Sequence, residues 1–269
     1  MNESKAEETR AVVREHYGNI AVRGGGCAPG CCAPAGAGHA ETLGYSEDEQ
    51  ESAPDGADLG LGCGNPTAIA ALEPGEVVLD LGSGAGFDCF LAARQVGATG
   101  QVIGVDMTAE MIARARENAR KVKAANVDFR LGEIERLPVA DGSVDVILSN
   151  CVINLSAEKD AVFREAFRVL RAGGRLAISD VVATGPIPAE LQNQAAALAG
   201  CVAGAAAIDD LRAMLSAAGF TDVDVRIAPR SAEIVGSWMP GIEGFVASAT
   251  IEARKPAPGA SCCGPECCA

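Results

Sequence analysis

The chain has 269 residues and a formal net charge of -14, with 22 basic against 36 acidic side chains. That length suits one large domain or one domain with appendages, and the acid excess argues against nucleic acid, whose binding rests on neutralised phosphates. No apolar run reaches the roughly 18 residues of a membrane span and MNESKAEETR is no secretory signal, so a cytoplasmic protein with no membrane partner is expected.

In chain order, residues 1–20 read as a short amphipathic helix, with Val12, Val13 and Tyr17 at near-helical spacing. Residues 23–40 are rich in Gly, Ala and Pro and read as irregular. Residues 41–60 carry the acidic run EDEQE among turn formers, and 1–60 together read as an N-terminal, Cys-containing arm. From about residue 75, short β-branched runs alternate with helical stretches. The strand candidates are 77–81, 101–106, 127–131, 144–149 and 175–182. The helix candidates are Phe87–Val96, Ala109–Lys123 and Ala157–Leu170, with Thr108 and Ser156 placed as N-caps. This alternation, with continuously apolar strands, predicts a parallel sheet covered on both faces. After residue 183 it breaks. TGPIPAE turns into an Ala-rich helix near 189–200, and a second helix runs from an Asp cap over Asp209–Ala218 to Gly219. DVDVRI (222–227) and FVASATIEA (245–253) alternate with period two, as half-buried antiparallel strands do. The expected division is a core at 61–185, a C-terminal substrate-binding part at 186–254 and a flexible Cys-rich tail at 255–269.

The first strand candidate runs into Asp80-Leu81-Gly82-Ser83-Gly84-Ala85-Gly86 and then a helix. The spacing is G-x-G-x-G, one residue short of the dinucleotide fingerprint that cradles a pyrophosphate. The second strand candidate ends at Asp106, roughly twenty residues on, where an acid can bind a ribose diol. A cofactor with a ribose and no phosphate fits, and S-adenosylmethionine is one. Over about residues 60–185 this region resembles the class I S-adenosylmethionine-dependent methyltransferases. The resemblance implies a Rossmann-like α/β fold: a seven-stranded, mostly parallel sheet with its last strand antiparallel, helices on both faces, and a small C-terminal α+β part. It implies cofactor contacts from Asp80, Gly82, Ser83, Gly84 and Gly86 at the methionine end, and from Asp106 at the ribose. Met107, Ile134 and Glu135 would hold the adenine, and Asn150 would face the cofactor.

The eleven cysteines are unevenly placed. In a reducing cytosol they point to ligands or catalytic groups rather than a disulfide framework. Cys151 ends the fourth strand candidate, beside the switch point where open α/β sheets bind ligands. Class I enzymes that methylate amino nitrogens present an Asn/Asp-Pro-Pro motif near this place; a thiolate is instead a soft donor, suited to a thiophilic centre. Trivalent arsenic is such a centre: it binds three thiolates and keeps a lone pair. With that lone pair aimed at a sulfonium methyl, an in-line displacement needs positioning and no general base. The two histidines, His16 and His39, both fall in the arm.

Three stretches carry a closer resemblance over about residues 60–250: Gly62-Cys63-Gly64-Asn65-Pro66, Asn150-Cys151-Val152-Ile153-Asn154-Leu155, and Gly200-Cys201-Val202. With the glycine loop they resemble the arsenite methyltransferases. The resemblance implies that Cys151 and Cys201 bind arsenic and that Cys63 is a third thiol, joining on substrate binding and able to form a disulfide as product is made. It also implies a more N-terminal partner for Cys63, with Cys32 expected and Cys31 and Cys27 open. Arsenite or its thiol conjugates would be the substrate, glutathione or thioredoxin the thiol reductant, and arsenic detoxification the purpose. Cys89 reads as core packing. The tail pair Cys262-Cys263 and Cys267-Cys268 has a metal-site spacing that fits arsenite hand-over, zinc storage or a bystander role. A competing reading keeps the fold but methylates carbon or oxygen of a small organic acceptor, such as a quinone precursor. It leaves Cys63, Cys151 and Cys201 as packing and finds no base in the core. A sensor or chelator on a decayed fold is the third reading, and the intact glycine loop with Asp106 stands against it.

Overall fold

The computed structural model describes residues 3–23, 39–186, 201–238 and 241–257. Its frame is one twisted sheet. The strands are β1 (Val77–Leu81), β2 (Gln101–Asp106), β3 (Val127–Leu131), β4 (Val144–Asn150), β5 (Leu170–Ala183), β6 (Ala206–Ala207), β7 (Thr221–Ile227) and β8 (Val246–Arg254). Their order is β3-β2-β1-β4-β5-β8-β7, and the two-residue β6 pairs with β5 off this path. Pairing is parallel from β3 through β5, while β8 runs antiparallel to both β5 and β7. The expected seven strands with the last antiparallel are present, with β6 added.

Alternation along the strands feeds two cores. Leu79, Leu81, Ile103 and Ile147 face one cluster; Val78, Val102, Val146 and Leu148 face the other. Helices cover the first face through α7 (Lys159–Val169) and α8 (Ile208–Ala218), with Phe163 and Leu215 fully buried. Burying one such side chain contributes about 1.5–3 kcal/mol. The second face is covered by α4 (Pro66–Ala70), α5 (Phe87–Val96) and α6 (Ala109–Val122). The N-terminal segment holds α1 (Glu3–Arg23), α2 (His39–Thr42) and α3 (Glu47–Ser52), and α9 (Ser231–Gly236) precedes β8.

Several expectations are corrected. The acidic run, for which no helix was expected, forms helix α3: Ser46 and Glu49 form a reciprocal capping box, and three acids sit in its first turn, where the helix dipole favours them. Helix α7 begins at Lys159, not at Ser156; the Ser156 hydroxyl accepts from Glu158 N at 3.0 Å and donates to Glu135. Thr108 and Ala207 occupy the N-cap positions of α6 and α8 without a side-chain cap bond, so Asp209 lies inside the first turn. Strand β5 begins at Leu170, ahead of the expected Arg175, because Leu170 pairs with Val144 across a register shift and Gly173 and Gly174 bond to Lys255. The short helix α4 was not expected; Asn65 Oδ1 accepts from Ala68 N at 3.0 Å and Pro66 opens the first turn. The Ala-rich stretch near 189–200, the N-terminal cysteines Cys27, Cys31 and Cys32, and the four tail cysteines lie outside the described residues.

Candidate active site

After β1 the chain crosses to β2, and after β4 it crosses to β5 on the other side. The switch point therefore lies between the C-terminal ends of β1 and β4, where open sheets leave a crevice. A cleft of about 1130 Å³, its solvent-open part included, sits there. Asp80, Gly82, Ser83, Gly84, Asp106, Met107, Ile134, Glu135 and Asn150 all line it. Gly86 does not: it is the N-cap of α5, and a Cβ there would strike Phe129 and Phe90, so its role is close helix–sheet packing. Helix α1 forms part of the wall through Arg10, Val13 and Tyr17.

The polar groups of this cleft are poorly partnered for their burial. Asp106 accepts from Gly84 N at 2.9 Å and Thr108 N at 2.8 Å, which fixes its carboxylate; burial still raises its pKa. Asp88, which sequence reasoning missed, lines the same wall and is raised to about 6, chiefly by burial. Asp80 lies well above the carboxylate range through burial and the charge of Asp88. Ser83 Oγ is buried and has no hydrogen-bond partner among the described residues. Three buried acids and an orphan hydroxyl ask for a ligand that brings positive charge and hydroxyl groups. S-adenosylmethionine brings an ammonium, a sulfonium and a ribose, and these residues fit it. Gly84 contributes by absence: at φ +51 its Cβ position faces open space, so backbone can approach a ligand.

At the end of β4 the cleft wall becomes thiol. Cys151 lines the cleft; Cys63 and Cys201 lie in an adjoining apolar cluster with Val181, Val235, Ile242 and the half-buried Trp238. All three cysteines are buried and free. The Cys63 thiol donates to the Ser179 carbonyl at 3.6 Å and the Cys201 thiol to the Cys151 carbonyl at 2.6 Å, so both meet the ends of β4 and β5. The sulfurs of Cys63 and Cys151 and a carboxylate oxygen of Asp180 lie within 4.8 Å of one another. Both Cys151 (φ 59) and Cys201 (φ 63) hold the left-handed backbone that non-glycine residues avoid, a strain of order 1–3 kcal/mol each that tertiary contacts must impose. One such contact is Cys151 N to Ser179 O, at 2.8 Å.

Packing explains the motifs around these thiols. A Cβ on Gly62 would sit 2.7 Å from Asn150 Nδ2, and one on Gly64 would sit 2.8 Å from Ser179 Cβ. Both glycines let the Cys63 turn press against the ends of β4 and β5. Asn154 anchors the loop after Cys151 by donating to Asp180 Oδ1 at 2.9 Å and to the Val181 carbonyl. Val152, Ile153 and Leu155 are packing residues. Cys89 is fully buried, but it is more than filler: its thiol donates to Asp80 Oδ2 at 3.2 Å.

The site thiols are neutral in the ligand-free protein. Burial pushes Cys63 up to about 11. Cys151 lies well above its usual value: a hydrogen bond from Cys201 favours its thiolate, but its contact with Cys63 and burial prevail. Cys201 is raised by Cys151 and by burial. Asp180 sits at about 6, raised by burial against opposing backbone N–H groups and the charge of Lys159.

A family model described as "Methyltransferase domain" matches residues 72–219. An arsenite methyltransferase of Halobacterium salinarum is 56% identical over 264 residues, covering 93% of this chain and 68% of that protein. One from Aquipseudomonas alcaligenes is 48% identical over 168 residues, but the chain spans only about half (48%) of its length. The crystal structure of an arsenic(III) S-adenosylmethionine methyltransferase from Chlamydomonas reinhardtii is similar at 34% identity and TM-score 0.60, over 84% of this chain and 76% of that one. On these matches, with the fold and the glycine loop, the chain belongs to the arsenite methyltransferase family of S-adenosylmethionine-dependent enzymes.

Proposed function

We propose that this chain methylates trivalent arsenic held by Cys63, Cys151 and Cys201, taking the methyl group from S-adenosylmethionine. The supporting observation is the convergence of three buried thiols, from three separate segments, at the end of a cleft that fits this cofactor. Neutral thiols suit capture. Each exchange forms an As–S bond, breaks an As–OH bond and sends the thiol proton away as water, so no thiolate need persist in an apolar wall. The bound cofactor supplies an electrophilic methyl on a sulfonium. The protein holds arsenic through sulfur, excludes water with Val181, Val235, Ile242 and Trp238, and lets the lone pair face the cleft at Cys151. Methyl transfer breaks the sulfonium–methyl bond, releases S-adenosylhomocysteine and forms an As–C bond with the arsenic lone pair, leaving arsenic formally two electrons oxidised. A second thiol then attacks the sulfur of an arsenic-bound cysteine: it loses its proton, a disulfide forms, and the As–S bonding pair returns to arsenic. Cys63 with Cys32 is the pair we assign, and glutathione or thioredoxin is the class of thiol that restores it. Arsenic detoxification in the cytoplasm is the role that follows.

The test is incubation with labelled S-adenosylmethionine, arsenite and glutathione, followed by detection of methylated arsenic. Cys151→Ser and Cys201→Ser should lose arsenite binding while keeping cofactor binding. Native-rate methylation by both variants would sink the thiol assignment.

A further inference from the structure

A closed set of polar contacts joins the cofactor cleft to Cys63. Tyr45 Oη donates to Asp88 Oδ1 at 2.6 Å. Asn150 Nδ2 lies 2.9 Å from the Gly64 carbonyl, 3.0 Å from Tyr45 Oη and 3.2 Å from Asp88 Oδ2. On its other side, Asn150 Oδ1 accepts from Cys63 N at 2.9 Å. Tyr45 and Asp88 are buried, and all three side chains line the cleft.

Counting protons shows what the set lacks. The Asn150 amide has two N–H groups and three acceptors in reach. They are shared among the three, the contact to Asp88 Oδ2 being the longest, and Tyr45 gives its only proton to Asp88 Oδ1. Asp88 Oδ2 is thus left under-satisfied at the cleft wall, and among the described residues no basic side chain pairs with Asp88. Asp88 accepts hydrogen bonds from Tyr45 and Asn150, which favour its ionised form, while Asp80 accepts from the weaker donor of the Cys89 thiol.

We propose that Asp88 receives the α-ammonium of S-adenosylmethionine, and that Tyr45 and Asn150 turn this contact into the placement of Cys63. The role of Cys63 rests on the function proposed above. With a cation on Oδ2, Asp88 no longer competes for the Asn150 amide. Both Asn150 protons are then committed to Gly64 O and Tyr45 Oη, and Oδ1 to Cys63 N. The turn is held on both sides of the thiol, with no slack at Gly62 or Gly64. Tyr45 and Asn150 are positioning residues: they act on arsenic only through Cys63. Linkage makes the effect reciprocal, so arsenic on Cys63 tightens the cofactor by the same factor.

Amide hydrogen exchange over residues 60–66, read by mass spectrometry with and without saturating S-adenosylhomocysteine and with no arsenic present, tests this. The cofactor product should slow exchange about tenfold in the native protein. Tyr45→Phe should bind it yet show less than about a twofold effect. Asp88→Asn should bind it more weakly and, once saturated, give no added protection; it decides alone if Tyr45→Phe does not fold. Equal protection in native protein and variant, or none in the native protein, overturns the relay. Because arsenic is absent, failure of arsenite methylation would leave this readout standing, and failure of this readout would leave methylation standing.

Discussion

The cofactor cleft and the thiol cluster share Cys151 but are built by different means. The cleft's three buried acids and its glycine loop come from contiguous chain: β1, the loop, α5 and β2 supply Asp80, Ser83, Gly84, Asp88 and Asp106 within a single βαβ unit. Its backbone demands fall on glycines. The thiol cluster draws Cys63, Cys151 and Cys201 from three separate loops, and two of these cysteines carry left-handed backbone themselves. One region holds buried acids short of partners; the other is apolar and has its neutral thiols packed together. A cationic cofactor and a thiophilic substrate can therefore be recognised side by side without sharing a chemistry.

The largest expected effect breaks that separation from the thiol side. Cys151→Ser should lower arsenite methylation by about a thousandfold or more, since serine oxygen is a poor ligand for a soft centre. Its affinity for S-adenosylhomocysteine by calorimetry should stay within about twofold. Next comes the cofactor side. Asp106→Ala should weaken S-adenosylhomocysteine binding about 10–100-fold, the loss of hydrogen bonds to a charged acceptor. Arsenite should still quench Trp238, the sole tryptophan, which packs on the thiol cluster. A quench lost together with cofactor affinity would mean the two regions are one.

A smaller effect follows from pH. Asp88 is raised to about 6 by burial, opposed by hydrogen bonds from Tyr45 and Asn150 and reinforced by the charges of Asp58 and Glu49. An ammonium ligand selects the ionised form. Affinity for S-adenosylhomocysteine should therefore be steady above pH 6 and fall as pH drops, approaching tenfold per unit below the ligand-free pKa. Calorimetry between pH 7 and 5 checks this, and Asp88→Asn should flatten the curve. The smallest effect is expected from a chain truncated after Lys255. Lys255 keeps its bonds to Phe167 and Leu170 carbonyls, so methyl transfer should remain within about twofold of the full chain. Total loss of turnover would give the four tail cysteines a catalytic part.

These differences also explain what could be read from sequence. The β1–loop–α5–β2 unit was legible to the residue because apolar runs, a glycine loop and a terminal acid are local signals. Of the thiols, Cys151 was legible from its place at a strand end, and Cys63 and Cys201 only as a resemblance; nothing in their spacing says that three loops meet. Tyr45 and Asp88 were missed because their partners lie across the fold, and an acid in a first helical turn reads as an ordinary dipole contact. Asp180 left a trace: a charge inside the apolar run AISDVV has to be buried, and buried charge asks for a reason.

Strand β8 has a consequence for how the protein comes into being. It zips between β5 and β7 over nine pairs with β5, and Ser248 Oγ donates to the Cys63 carbonyl at 2.7 Å. Everything it joins is synthesised before it. Until those residues leave the ribosome, the edge of β5 is open and the Cys63 turn lacks one of its anchors. A chain made only through β7 thus carries the three cysteines without the wall that closes around them, and the thiol cluster is complete only once β8 arrives.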